Sequence, residues 1–412
     1  MFVNKKHKKS VQDASLPTIS QQVDHIPRNS CNLNHFNTFT GHHFKIASLR
    51  WGKNSKTLLT TSQDGFMIVW DAVTGYKKHA IPLENPWVLT CAYSPSESVL
   101  ASAGLDNVCT IYKQVGFQRI EVVEPGGKSS LRTKSNSPNY FQSQSHSSTS
   151  TFSSSSSSSL QVRLKGHTAY IPDCGFLSNH NIVTVSGDST CILWDITRSS
   201  PLFKYTDHTS DVLCLATSYQ QLPANPYLFV TGSSDGTMKI WDTRTKFSVR
   251  SVNSMAYDVN CLSIFPDSNA IASGVDDGSI HLYDVRADCI VSKYCLETQK
   301  NKTNYYPNQL PPLLPTTLRG GGSRILSLQQ SIQSTANLPG VTSIDFSKSG
   351  RLLYSTYSES GCLIWDVLKG EVVGSVGNAR TSKFSHVSVS PDGEALATVG
   401  WDASIGIWTS GL

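Results

Sequence analysis

The side chains of this 412-residue chain most suited to acid–base chemistry are three histidines, each followed downstream by an aspartate in a turn. They sit in the pairs Gly41-His42, Gly166-His167 and Asp207-His208, and the aspartates are Asp64, Asp188 and Asp235. A His–Asp couple is a general-base arrangement when the imidazole faces a substrate. Here each aspartate opens a short alternating run that ends in tryptophan, at Trp70, Trp194 and Trp241. The reading is therefore a structural tie, in which the histidine bonds the turn aspartate and relays to a buried indole. Pro125-Gly126-Gly127-Lys128-Ser129 has the tail of a phosphate-binding loop, but Val122 stands where the first glycine is required and no strand-to-helix context surrounds it. There is no H-E-x-x-H or C-x-x-C motif, and no catalytic set, metal or cofactor is expected.

The elements that position these residues follow from an internal repeat. A turn ending in Asp, a short alternating run and an aromatic residue recur seven times, with the aromatic at Trp70, Tyr112, Trp194, Trp241, Tyr283, Trp365 and Trp408. The steps between them are 42, 82, 47, 42, 82 and 43 residues. A period of about 40–45 residues ending in Trp-Asp is the WD-repeat signature, each unit being one four-stranded blade. Strand patterns such as Leu58–Ser62 and Ile182–Ser186, bounded by Ser-Pro, Asp-Gly or Ser-Gly turns, agree, and no long helical pattern competes. The expected fold is all-β: a seven-bladed WD40 β-propeller over 36–412, behind an N-terminal segment 1–35. Trp365, Asp402 and Trp408 join the histidines, aspartates and tryptophans above as structural positions. The segment around Phe36–Phe39 is expected to supply the outer strand of the last blade, so that the ring closes without a free edge.

Both 82-residue steps hold low-complexity sequence, not a further blade. The first insert, 114–160, contains the unbroken run Ser153 to Ser159; the second, 296–338, contains Pro311–Pro315 and Gly320–Gly322. Neither composition packs a core, and both are expected to be mobile, disordered loops. The serine-rich insert offers phosphorylation sites, and a tolerated insertion on a rigid scaffold is the plainer reading. A net charge of +5, from 35 basic and 30 acidic residues, is too mild for nucleic-acid binding by bulk electrostatics. Lys5, Lys6, Lys8 and Lys9 read as a solvated basic end. The ten cysteines fall singly, most inside apolar runs (Cys91, Cys109, Cys191, Cys214, Cys362), which points to a reducing compartment. No signal-peptide core and no apolar stretch near the length of about 18 residues needed to span a bilayer is present.

Several blades carry phrases more specific than the generic repeat: Ser62-Gln63-Asp64-Gly65, Trp87-Val88-Leu89-Thr90-Cys91-Ala92-Tyr93, Gly104-Leu105-Asp106-Asn107, Phe346 to Leu352, and Gly400-Trp401-Asp402. In order and in register over nearly the whole propeller, the chain resembles the beta subunit of heterotrimeric G proteins. Its long inserts and Val367 to Gly374 are most similar to the pheromone-pathway beta subunits of budding yeasts. The resemblance implies a face that binds the GDP-bound alpha subunit and, once alpha leaves, effectors. The positions it matches on that face are Lys45, Trp87, Leu89, Leu105, Asn107, Tyr170, Asp211, Leu213, Asp258, Asn260, Asp276 and Trp401. Lys45, Tyr170 and Asp211 each fall four residues after the first member of their opening pair, which puts them at equivalent points on one rim.

Four residues depart from the family pattern: Ala47 stands for a Tyr, Leu89 and Leu213 for Met, and Ser234 for Cys. The Met-to-Leu changes conserve volume. The family's N-terminal coiled-coil helix is represented only by a remnant over Val11 to Asp24, interrupted by Pro17. Either the sequence begins late or a gamma subunit is held mainly by the propeller. The resemblance further implies a MAP-kinase scaffold and a Rho-type exchange factor as effectors. It places the chain in the cytoplasm, peripheral on the inner face of the plasma membrane through a lipidated gamma subunit, since Ser410-Gly411-Leu412 is no C-a-a-X box. Two other readings compete with this one. A generic WD40 scaffold or adaptor, such as a ubiquitin-ligase substrate receptor, would need neither gamma nor nucleotide sensitivity. An enzyme using the central tunnel would need converging acidic groups, for which Asp211, Asp258 and Asp276 are the candidates.

Overall fold

The computed structural model describes residues 24, 26–27, 31, 33–113, 161–218, 227–253, 256–296, 339–358, 361–377 and 383–410. Among them the chain forms seven four-stranded antiparallel sheets arranged as a ring. Each blade runs from an inner strand, beside the central tunnel, to an outer strand. The inner strands of blades 1 to 7 are Ile46–Trp51, Val88–Tyr93, Asp173–Phe176, Val212–Thr217, Val259–Ile264, Val341–Phe346 and Phe384–Val389. The second and third strands read as nearly continuous apolar and hydroxyl runs, because blades cover them on both faces.

The outer strand of blade 7 comes from the start of the chain. Leu33–Phe39 pairs antiparallel with Ile405–Ser410, with Phe39 opposite Ile405 and Leu33 opposite Ser410. The closing strand thus begins at Leu33, three residues before the expected boundary at 36. Apolar clusters then sit between blades; one joins Ile46, Leu49, Trp51 and Trp70 of blade 1 to Ala397, Val399, Ile405 and Ile407 of blade 7. Leu296, placed above as the first residue of the second insert, packs half-buried against the core of blades 5 and 6. The rest of both inserts, and the helix remnant ahead of Asp24, lie outside the described residues.

The three expected ties are present. His42 Nδ1 lies 2.9 Å from Asp64, its Nε2 lies 2.8 Å from Thr60 Oγ1, and Trp70 Nε1 donates to the same hydroxyl at 2.8 Å. The same chain links His167, Asp188, Thr184 and Trp194, and again His208, Asp235, Thr231 and Trp241. The ionised aspartate only accepts, so the Nδ1 facing it carries the proton; the neutral ring then accepts at Nε2 from the threonine hydroxyl, which itself accepts from indole. Burial lowers the pKa of all three histidines. Burial alone would raise the Asp188 and Asp235 carboxyls, but hydrogen bonds from threonine, backbone and histidine outweigh it and hold both at about 2. Blades 6 and 7 keep only the indole end of the chain, Trp365 to Ser355 and Trp408 to Thr398, each at 2.9 Å. Asp402 is exposed and caps its own turn through Ser404.

A further covering is found at blade 6. Its outer strand, Glu371–Val376, is far more buried than the other six, with Val372, Val373 and Val376 enclosed. Ile26, Cys31 and Leu33 pack on the same apolar cluster, and Arg351 donates to the Asp24 carbonyl at 3.1 Å. The segment leading into the closing strand therefore crosses the outer edge of the preceding blade.

Candidate functional site

One hydrogen bond, repeated in all seven blades, defines a rim. The residue just before each inner strand, or in blade 3 the one three residues ahead of it, offers its carbonyl to an amide in the turn between the second and third strands. Gln63 bonds Lys45 (3.2 Å), Leu105 bonds Trp87 (3.0 Å), Gly187 bonds Tyr170 (3.0 Å) and Ser234 bonds Asp211 (2.9 Å). Asp276 bonds Asp258 (3.0 Å), Ser358 bonds Gly340 (3.3 Å) and Trp401 bonds Lys383 (3.0 Å). Lys45, Trp87, Leu105, Tyr170, Asp211, Asp258, Asp276 and Trp401 thus all belong to one face of the ring. Asn107 sits in the same turn as Leu105, in the left-handed region at φ 61°, and its side-chain amide donates to the Thr168 carbonyl at 3.2 Å.

Leu89, Leu213 and Asn260 lie one step deeper. Each is the bulged residue of its inner strand, unpaired between register positions, as is Ala47 in blade 1. A bulge turns the extra residue away from the ladder. All four line the mouth of the tunnel, a cavity of about 260 Å³. The bulge recurs at Thr342 and Ser385, so six of the seven inner strands carry it; the inner strand of blade 3 pairs without one.

Specific contacts tie rim residues to one another. Lys45 Nζ lies 3.9 Å from the centre of the Trp401 ring, and Lys383 Nζ approaches the same ring at 5.8 Å. Partial burial lowers the Lys45 pKa below its ordinary value. Across blades 3 and 4, Tyr170 donates its hydroxyl to Asp211 at 2.7 Å. Burial, and then this carboxylate, push the phenol up to about 12, so it remains a donor at neutral pH. Asn260 donates to Asp276 at 3.1 Å. Trp87 and Trp401 are more than half exposed, at 55% and 58%, so neither indole is buried in its blade.

The rim also contains residues that motif reading did not single out. Phe44 (63% exposed) precedes Lys45, Tyr257 (55%) precedes Asp258, and Lys383 shares the Trp401 ring. The repeating offset from the inner strand is the signal that finds Lys383 and Gly340. Nothing local marks Phe44 or Tyr257 as exposed. Asp211, Asp258 and Asp276 do not form a metal centre: among the described residues no three His, Cys, Asp or Glu side chains are grouped to hold an ion. The site is an apolar and charged contact surface without a nucleophile–base pair, and what it can do is bind.

The family model described as "WD domain, G-beta repeat" matches residues 34–71, 75–113, 157–195, 199–242, 248–284, 327–366 and 371–409. The chain is 37% identical to "Guanine nucleotide-binding protein subunit beta" of Saccharomyces cerevisiae, over 99% of this chain and 87% of that protein. It is 32% identical to the protein of the same name from Oryza sativa subsp. japonica, over 90% of this chain and 82% of the relative. With the Zea mays protein it shares 30% identity over 98% and 91%.

Proposed function

The chain belongs to the family of guanine nucleotide-binding protein beta subunits, and from that membership we propose that its rim is where it receives the GDP-bound alpha subunit while paired with gamma. Proteins of this family are non-catalytic WD-repeat scaffolds in signal transduction, and this chain is one of them. The observation that carries the proposal is the exposure of Trp87 and Trp401, with Lys45 stacked on the latter, on a face with no packing need for them. Large aromatics beside a cation are the side chains that dominate interface energetics.

The mechanism is competition for one surface. GDP-bound alpha covers the rim and masks the effector positions; GTP rearranges the alpha switches and lowers affinity, and the freed beta–gamma pair binds effectors. Hydrolysis belongs to alpha. Resemblance to the pheromone-pathway beta subunits supports a mating signal, with a MAP-kinase scaffold and a Rho-type exchange factor as effectors. It also supports a cytoplasmic location on the inner face of the plasma membrane, through lipid on gamma.

The test is co-purification of the tagged chain with alpha and gamma from its own cells, in GDP and then in a non-hydrolysable GTP analogue. Alpha retained in GDP and released in the analogue is the expected result. Absence of both partners would leave a generic WD40 adaptor as the better account.

A further inference from the structure

The seam between blades 7 and 1, where the two ends of the chain meet, is stitched from the rim downward. Beneath the Lys45–Trp401 contact, Ser385 Oγ donates to the Ile46 carbonyl at 2.6 Å. Next, Arg50 Nη1 donates to His386 Nε2 at 2.9 Å. Below that, Trp51 Nε1 donates to the Ser388 carbonyl at 3.0 Å, and the Asp392 amide reaches Ser55 Oγ at 3.0 Å. The Arg50 rung is the one that extends into the tunnel. Its Nη2 meets Asp173 of blade 3 at 3.1 Å, and Asp173 also accepts from Thr90 of blade 2 at 2.9 Å and from the Leu215 amide of blade 4 at 3.1 Å.

A guanidinium cannot accept, so His386 accepts at Nε2 and carries its proton on Nδ1. Burial, reinforced by the adjacent guanidinium charge, drives the His386 pKa down to about 3, and the ring is a neutral acceptor throughout the physiological range. Arg50 is five residues from Lys45 on one inner strand; His386 is three residues from Lys383, whose carbonyl anchors the Trp401 amide. Both members of the cation–π contact are therefore tied to the seam by short runs of strand.

We propose that Arg50 and His386 are positioning residues for the rim: their bond sets the approach of the inner strands of blades 7 and 1, and so holds Lys45 over Trp401. The inference rests on the reading of the rim as the alpha-binding surface. Neither residue touches the partner in this scheme. Their influence reaches it through a packed, hydrogen-bonded unit about two turns of the ladder deep.

The experiment measures affinity of the beta–gamma pair for GDP-bound alpha. His386→Leu removes the acceptor and leaves the Arg50 N–H unpaired; His386→Gln places an amide oxygen near the same position. The Leu variant is expected to bind about three- to tenfold more weakly, with Gln near wild type. In a Trp401→Ala background the His386→Leu effect should vanish, whereas with Asp258→Ala, on the far side of the rim, the two effects should add. Unchanged affinity in His386→Leu, or full additivity with Trp401→Ala, would overturn the inference. If the Leu variant does not fold, Arg50→Lys, which keeps the charge beside Asp173 but loses the two-way planar fork, enters the same cycle with the same expectations. Should Trp401→Ala alone leave affinity unchanged while the chain still binds alpha, the reading of the rim fails and takes this inference with it.

Discussion

Lys45 and Trp401 lie at opposite ends of the described propeller sequence and meet at the rim, ammonium over indole at 3.9 Å. The contact crosses the seam that the N-terminal strand closes, so it exists only in the completed ring. An exposed cation–π pair is worth about 0.5–1 kcal/mol by itself. Its larger role is to hold a 58%-exposed indole in one orientation before a partner arrives.

Trp401→Ala or Lys45→Ala is expected to lower affinity for GDP-bound alpha at least tenfold, about 1.4 kcal/mol. Neither change should unfold the ring, because Trp401 is exposed, Lys45 is only half-buried, and neither belongs to an apolar cluster between blades. Lys45→Arg keeps a cation on the ring and should retain most of the affinity. Calorimetry against alpha, with a thermal melt on each variant, checks all three; unchanged affinity in both alanine variants would remove the rim as the binding surface.

Gly187 gives a way to move Tyr170 without altering it. A Cβ at Gly187 would lie 2.4 Å from Tyr170 Cε1 and 2.9 Å from its Cδ1, so the ring must shift. Gly187→Ala should then break the 2.7 Å bond from Tyr170 to Asp211. We expect weaker alpha binding, about two- to tenfold, with Tyr170→Phe reproducing the part that comes from the lost bond alone. Equal affinities for wild type and Gly187→Ala would show that this bond has no part in recognition.

Thr231 is the hinge of a buried polar chain, accepting from Trp241 and donating to His208, each at 2.8 Å. Thr231→Val preserves shape but leaves one donor and one acceptor unpaired in the blade 4 core. A cost of about 2–6 kcal/mol is expected, from roughly 1–3 kcal/mol per orphaned group. Ser355→Ala in blade 6 orphans only the Trp365 donor. The shift in urea midpoint should therefore be clearly larger for Thr231→Val, and equal shifts would contradict the relay.

The blades were legible because their signals are local: a turn aspartate, an alternating run and a terminal indole lie within one repeat. The closing strand followed from topology, since a ring with an unpaired edge would expose a ladder of unsatisfied groups. Residues on the rim were legible as a set wherever an offset from the opening pair repeats, as for Lys45, Tyr170 and Asp211. What escaped are relations between blades. Tyr170 and Asp211 belong to different repeats, and Arg50, Asp173 and His386 come from three inner strands that face one another only across the tunnel. Phe44 and Tyr257 are ordinary aromatics until the turn of the chain leaves them uncovered. The covering of blade 6 by Ile26, Cys31 and Leu33 was equally invisible, because these residues carry no repeat signature.

Gly374 tests that covering. A Cβ there would lie 2.7 Å from the Cys31 carbonyl oxygen and 3.3 Å from Ile364, backbone on one side and core on the other. Gly374→Ala is expected to lift the segment from Glu371–Val376 and lower stability by about 1–3 kcal/mol. Limited proteolysis should cut ahead of Leu33 faster in this variant. An unchanged cleavage rate would mean that the segment adapts without leaving the blade.

Acid should act on the ring first through its histidines. His42, His167 and His208 have folded pKa values below the ordinary 6.5, chiefly because burial disfavours the imidazolium despite the aspartate beside each. With the folded value depressed, the unfolded chain binds more protons between that value and 6.5, so stability rises with pH through this window and is lost as pH falls below about 6.5. His386, held at about 3 by burial and Arg50, adds to the loss in the same direction. Asp188 and Asp235, held at about 2, act in a lower window: their contribution is complete above 3.8 and is lost as pH falls from there toward 2. Urea midpoints should accordingly be level from pH 7 to 8, begin to fall below about 6.5, and fall further below 3.8 as the carboxylates protonate. His208→Gln, which removes one imidazole without adding a charge, should flatten the upper step and leave the lower one in place. An upper step as steep in that variant as in the parent would assign the acid sensitivity to groups outside blade 4.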